Sequence, residues 1–240
     1  MIDESELFTV DVGNTNSSFV HWVDDKPLLK SNKEINKTSK LIVSNVTNRS
    51  ISLGTPFIHT IHQKSMSSFG KMSSSYGFKA GTDRLVFAYF AFEKINSRTD
   101  LEKLLLIDTG TFSTIDIVSK DGFEGGIITP GVKLLDKSFD SGERLNSPKK
   151  EVIQVLEKYP FKDTISTLKN SSWFILESII LRIIAEQKID QILLTGGNGE
   201  VLKDRLLSLG ITSSFDPLFV HRGIYALYKN EFGQTDLFVK

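Results

Sequence analysis

Residues Leu104 to Gly131 read L-L-L-I-D-T-G-T-F-S-T-I-D-I-V-S-K-D-G-F-E-G-G-I-I-T-P-G. The apolar run Leu104–Ile107 predicts a buried strand, because a short apolar stretch stopped by turn residues suits a strand covered on both faces. A tight loop, Asp108-Thr109-Gly110-Thr111, follows, and a second strand runs on through Val118. The turn Lys120-Asp121-Gly122 starts a third strand, which a Gly125-Gly126…Pro130-Gly131 loop is expected to end. The chemistry lies in the first loop. It sets a carboxylate at the mouth of a strand, beside a glycine that lets backbone come close to a ligand. Hydroxyls flank that glycine, so N–H and O–H donors can converge on phosphate oxygens while the carboxylate faces their metal ion.

Working outward, the same pattern occurs near the N-terminus. Leu7-Phe8-Thr9-Val10 is an apolar strand, Asp11-Val12-Gly13-Asn14-Thr15 a loop, Ser17 to Val23 a strand and Asp24-Asp25-Lys26 a turn. Setting Asp11 over Asp108 places Gly13 over Gly110 and Asn14 over Thr111. An isolated Asp-x-Gly is mostly turn chemistry. Two copies, each between apolar strands, suggest two related half-domains facing one cleft, divided near residue 100 into 1–100 and 101–240.

Composition bounds the rest. Across 240 residues, 29 lysines and arginines balance 29 aspartates and glutamates, so charge gives no reason to expect nucleic acid or an anionic membrane. There is no cysteine, which excludes disulfides, thiolate metal sites and a cysteine nucleophile. His21, His59, His62 and His221 form no H-E-x-x-H set and read as surface or hydrogen-bonded core imidazoles. Met1 to Glu6 is acidic and passes straight into a strand, unlike a signal peptide. The most apolar segment, Trp173 to Ala185, is interrupted by Glu177 and Arg182 and is too short for a bilayer. A soluble cytoplasmic protein is expected.

Further elements follow from periodicity. Strands are expected over Leu41–Val46 and Phe57–Ile61, then an aperiodic serine-rich loop from Ser65 to Gly77. Asp83 to Ile95 is apolar on most faces and predicts a buried helix, with Thr82 as N-cap and Asp83 in the first turn. Helices are expected over Val132–Phe139, Glu151–Lys158, Thr164–Gln187, Glu200–Leu209 and His221–Asn230. A strand at Gln191–Leu194 enters Thr195-Gly196-Gly197-Asn198-Gly199, a close-approach surface for a flat base, and a short last strand lies around Asp216-Pro217. Strands alternating with helices indicate an α/β fold. Standard nucleotide signatures fail: Gly126…Gly131 has Walker A spacing but continues Val132-Lys133, and no G-x-G-x-x-G opens a helix after a strand.

The pair Asp11-Val12-Gly13-Asn14-Thr15 and Asp108-Thr109-Gly110-Thr111, with the later Thr195-Gly196-Gly197, resembles the superfamily of acetate and sugar kinases, heat-shock chaperone ATPases and actin. Three more stretches make the set similar to type III pantothenate kinases. They are Gly81-Thr82-Asp83-Arg84, Gly125-Gly126-Ile127-Ile128-Thr129-Pro130-Gly131, and Asp216-Pro217-Leu218-Phe219-Val220-His221-Arg222-Gly223. Two departures stand out: Phe112 replaces an alanine and Ser171 a glycine of the family pattern.

The resemblance implies two actin-like (ribonuclease H-like) half-domains around a nucleotide cleft, and transfer of the ATP γ-phosphate to the hydroxyl of pantothenate. It implies Asp83 as catalytic base and Arg84 as partner of the pantothenate carboxylate, with Tyr76, Gly81, Thr82 and Thr164 lining the substrate site. Asp11 would hold Mg2+, with Val12, Gly13, Asn14, Thr15, Asn16, Ser17 and Ser18 around the phosphates. Asp108 would hold a monovalent cation, K+ or NH4+, while Thr111, Gly196 and Gly197 contact ATP. Family members are homodimers, and the wide apolar arc of Thr164–Gln187 is compatible with that. Rival readings are another small-molecule kinase of the superfamily, against which Arg84 argues because a neutral sugar offers it no anion, and a regulatory nucleotide-binding homologue, which Phe112 keeps open.

Overall fold

The strand Leu7–Val12 (β1) forms because Phe8, Val10 and Val12 alternate onto one face, where they pack with Leu41 and Val43. The computed structural model describes residues 6–30, 32–47, 49, 53–61, 69–76, 79–142 and 159–232. The helix expected at Glu151–Lys158 and most of the loop before it lie outside the described residues, as does part of the serine-rich stretch. The chain divides into two units. One comprises Met1–Leu101, Asp116–Gly125 and Leu218–Lys240, and the other Glu102–Ile115 and Gly126–Pro217. The architecture is α/β, as expected.

In the first unit β1 pairs antiparallel with Ser17–Val23 (β2), and β2 with Lys26–Lys30 (β3). The β2–β3 turn places Asp24 and Asp25 at φ 49° and 61°, the left-handed pair that suits the twist of a two-residue hairpin. On its other side β1 runs parallel to Lys40–Asn45 (β4), which runs parallel to Ile58–Thr60 (β5). The sheet order is β3-β2-β1-β4-β5. Asp11 and Val12 belong to β1 itself, so the loop begins at Gly13, two residues later than expected. Ser73–Ser74 (β6) is a short strand within the stretch expected to be a loop.

Helix Thr82–Asn96 (α1) is buried on most faces, as its sequence predicts. Its N-cap is Gly81 rather than Thr82; the Thr82 hydroxyl is buried and accepts from Ser44 Oγ at 2.9 Å, so it serves the sheet and not the helix end. Against α1 lies the helix Phe219–Leu227, labelled α5 below because α2 to α4 precede it in the chain. A Cβ on Gly223 would sit 2.0 Å from the carbonyl oxygen of Val86, so the two helix backbones meet where only glycine fits. α5 continues as a π-turn through Tyr228–Phe232.

The second sheet has the order β11-β10-β7-β8-β9-β6. Its strands are Lys103–Thr109 (β7), Phe112–Ser119 (β8), Gly122–Pro130 (β9), Gln191–Thr195 (β10) and Ser214–Phe215 (β11). β9 runs straight through Gly125-Gly126, which corrects the expectation that those glycines end it. Val132–Ser138 (α2), Thr164–Glu186 (α3) and Gly199–Ser208 (α4) complete the second unit. α3 is N-capped by Asp163, whose carboxylate accepts from the Ser166 N–H at 2.9 Å. Among the described residues no helix is long and apolar enough to cross a membrane.

Candidate active site

In the first unit, three segments meet beyond the C-terminal ends of β1 and β4. The parallel register sets Val12 beside Asn45, and Val46 N–H donates to Val12 O at 3.2 Å. The turn after β1 is closed by Gly13 N–H on Asn16 O at 3.0 Å, which leaves Asn14, Thr15, Asn16 and Ser17 exposed. The Asn45 side chain orders the next loop, accepting from Thr47 N–H and Oγ1 at 2.9 Å each and donating to Arg49 O at 3.0 Å. Arg49 then reaches back across the first turn and donates to Asn14 O at 2.5 Å. Val46 also lies against Gly81, where α1 begins.

Gly81 explains the Gly-x-Asp-Arg spacing. A Cβ there would stand 2.5 Å from Asp83 Oδ1, so glycine leaves room for the Asp83 carboxylate to fold back. That carboxylate accepts the Arg84 N–H at 2.7 Å. Desolvation pushes the Asp83 carboxyl above the ordinary carboxylate range, against the pull of that hydrogen bond and of the Arg84 charge.

Arg84 is buried and is not idle. Its Nε donates to Asp116 Oδ2 at 3.0 Å and its Nη2 to Asp116 Oδ1 at 2.5 Å. Burial works against the Arg84 charge, but the hydrogen bonds and charge of Asp116, with a smaller contribution from Tyr76, outweigh it. Burial likewise raises the Asp116 carboxyl, with Arg84 pulling it back. The Tyr76 ring lies 5.0 Å from the guanidinium carbon and the Phe123 ring 5.7 Å. Gly125, at φ +101°, seats the tyrosine: a Cβ there would be 2.8 Å from Tyr76 Cδ2. Tyr76, Gly81, Thr82, Asp83 and Arg84 are therefore neighbours. Asp116 is the member that sequence reading missed. Its signal was available: a carboxylate between Ile115 and Ile117 in a buried strand needs a cation.

A second network ties the first turn to α5. Trp22 Nε1, which can only donate, gives its hydrogen to Thr9 Oγ1 at 2.9 Å. Thr9 Oγ1 also bonds His221 Nδ1 at 2.9 Å, and His221 Nε2 bonds Ser18 Oγ at 2.8 Å, so that the imidazole links the two hydroxyls and its tautomer sets the direction of both bonds. Burial lowers the His221 pKa to about 4, so the ring is neutral at physiological pH.

In the second unit, Asp108 lies within β7, opposite Thr195 of β10, and is half-buried. The turn after it closes with Gly110 N–H on Phe112 O at 3.1 Å. Gly196, at φ +85°, packs against this strand end; its Cβ would fall 2.3 Å from Asp108 Oδ1 and 2.7 Å from Thr109 N. Gly131 packs from another direction, its N–H on Thr111 O at 2.9 Å. Thr111 is half-buried, while Gly197 and the Phe112 ring are exposed. Thr164 is exposed at the first turn of α3. Among the described residues no group of three or more histidine, aspartate or glutamate side chains could hold a metal by itself.

A family model described as type III pantothenate kinase matches residues 27–186, which include Gly81–Arg84 and Asp108–Thr111. A type III pantothenate kinase of Desulfosudis oleivorans is 27% identical over 229 residues, covering 80% of this chain and 87% of its own. One from Persephonella marina is 31% identical over 157 residues, so the match spans 62% of this chain but only 57% of that relative. Among solved structures, a conserved Baf-family candidate transcriptional activator from Campylobacter jejuni superposes with a TM-score of 0.61 at 21% identity, covering 92% of this chain and 97% of its own. A candidate 2-dehydro-3-deoxygalactonokinase from Sinorhizobium meliloti gives 0.56 at 11% identity, covering 94% and 99%. At such identities these likenesses speak to the fold alone, a mixed α/β architecture shared over nearly the whole of each chain.

Proposed function

Because the chain belongs to the type III pantothenate kinase family, we propose that it transfers the γ-phosphoryl group of ATP to the primary hydroxyl of pantothenate, opening coenzyme A synthesis in the cytoplasm as a homodimer. The observation that carries this reading is the Asp83 carboxylate at the start of α1, which accepts the Arg84 main-chain N–H and which desolvation raises above the ordinary carboxylate range. Asp83 accepts the hydroxyl proton as the new P–O bond forms and ADP leaves. Arg84 binds the substrate carboxylate, with Tyr76, Gly81, Thr82 and Thr164 around the rest of the molecule. The turn from Val12 to Ser18 offers N–H and O–H donors to the phosphates. Thr111 and the Gly196-Gly197 backbone contact the nucleotide. Mg2+ at Asp11 and K+ or NH4+ at Asp108 would supply positive charge against the transferring phosphoryl group.

The test is ADP release with pantothenate, ATP and Mg2+ in potassium buffer, comparing the wild type with Asp83→Asn. The substitution keeps size and removes the proton acceptor. Near-wild-type thermal stability, retained ATP binding and kcat lower by about 10²–10⁴ are expected. A variant that keeps most of its kcat removes Asp83 as the base. A folded wild type that binds ATP without pantothenate-dependent ADP release favours the regulatory reading.

A further inference from the structure

Arg84 can meet a carboxylate along two edges of its guanidinium, and one is already taken. Asp116 holds Nε and Nη2 in a bidentate pair whose side chains are 4% and 3% exposed. The rings of Tyr76 and Phe123 lie against the same group. Stability alone is a weak reason for such a pair, since well-packed apolar residues in place of a buried ion pair are often as stable or more so. Position is a better one. A free arginine side chain samples many rotamers, whereas one locked along an edge presents its remaining N–H groups in a single direction. We propose that Asp116 is a positioning residue: by occupying the Nε–Nη2 edge it aims the Nη1 end of Arg84 at the substrate carboxylate, and so sets the preference for an acid over neutral analogues.

This rests on pantothenate as the substrate and goes further, in assigning the preference for its acid group to a side chain that does not touch it.

The experiment measures kcat and KM for pantothenate and for its neutral alcohol analogue, in which a hydroxymethyl group replaces the carboxylate. Both compounds keep the hydroxyl that is phosphorylated. In Asp116→Asn the KM for pantothenate is expected to rise roughly tenfold to a hundredfold, the size of one charged hydrogen bond. kcat and the KM for ATP stay within about threefold, and the preference over the alcohol collapses. A purely structural role would lower stability and affect both compounds alike. Should Asp116→Asn not fold, Asp116→Glu keeps the ion pair but shifts the guanidinium by a methylene, and the preference must fall there too. Turnover of pantothenate with an unchanged preference in every folded variant overturns the positioning role alone. A wild type that phosphorylates neither compound overturns the kinase reading and this role with it.

Discussion

In the Asp11 turn, Ser18 is held through His221 by a chain of side-chain hydrogen bonds that begins at Trp22. In the Asp108 turn, glycines bring backbone directly against backbone: Gly131 on Gly110 and Thr111, Gly196 on Thr109. The two turns share the Asp-x-Gly pattern, and the glycine N–H closes each, on Asn16 O three residues further along in one and on Phe112 O two residues further along in the other. What differs is the support. Hydrogen bonds through an imidazole depend on its protonation, while a glycine contact depends only on the absence of a side chain. The repeated motif thus sets a glycine N–H that closes the turn and leaves each copy its own turn length and its own means of being held.

The sharpest way to break the second turn without touching the first is Gly131→Ala. The new Cβ would lie 2.2 Å from Gly110 O and 2.7 Å from Thr111 O, both backbone atoms of the turn that carries Thr111. A flexible side chain could swing aside; these carbonyls cannot move without pulling the turn from its hydrogen bonds. Ordinary overpacking costs about 1–3 kcal/mol, and a backbone collision should exceed about 3 kcal/mol. Urea unfolding should show a large fall in midpoint, or no folded protein at all. A midpoint near that of the wild type would show that the close approach is not needed.

Much of this difference could not be read from the chain. Most of the strands, the two Asp-x-Gly turns, buried α1 and the Thr195-Gly196-Gly197 turn were legible because each depends on neighbours within a few residues, whereas β3 and β6 were not expected. Asp116 pairs with a residue 32 positions away, and His221 with one 212 positions away. Gly125-Gly126 looked like a loop because paired glycines usually mark one. Here Gly125 stays inside β9 and serves to admit the Tyr76 ring, which only the packed sheet reveals. The N-cap of α1 was misplaced for a related reason: the Thr82 hydroxyl, a good cap on local grounds, is drawn into a bond with β4.

The first turn should respond to pH where the second does not. Folded His221 is neutral, its pKa lowered by burial to about 4 from 6.5. Between those values the unfolded chain binds a proton that the folded chain does not, so the contribution of His221 is complete above pH 6.5 and is lost as pH falls toward 4. At 1.36 kcal/mol per unit, the full loss is on the order of 3 kcal/mol. Other groups titrate in this window too, so the measurement is the difference in stability between wild type and His221→Gln at pH 7.5, 6 and 4.5. That difference should shrink as the pH is lowered. A constant offset would mean that the histidine packs without being linked to protonation.

The smallest structural effect is expected where a glycine has open space around it, and there stability separates from function. Nothing lies within 4 Å of a Cβ built on Gly197, and its backbone is outside the left-handed region. Gly13 is nearly as free, its nearest neighbour being Asn16 O at 3.4 Å. Alanine at either position should therefore change stability by no more than about 0.5 kcal/mol, as at other unobstructed surface sites. Neighbouring Gly196 offers the contrast, since a Cβ there collides with Asp108 and Thr109. If Gly197 is conserved in role only as a turn residue, Gly197→Ala should leave nucleotide affinity as it is. If it is a surface against which a flat base lies, the added methyl group stands in the ligand's path, and the KM for ATP should rise while the melting temperature holds. Thermal melting together with ATP titration of Gly197→Ala and Gly13→Ala distinguishes these outcomes. A fall in melting temperature in step with affinity would return both glycines to a structural role.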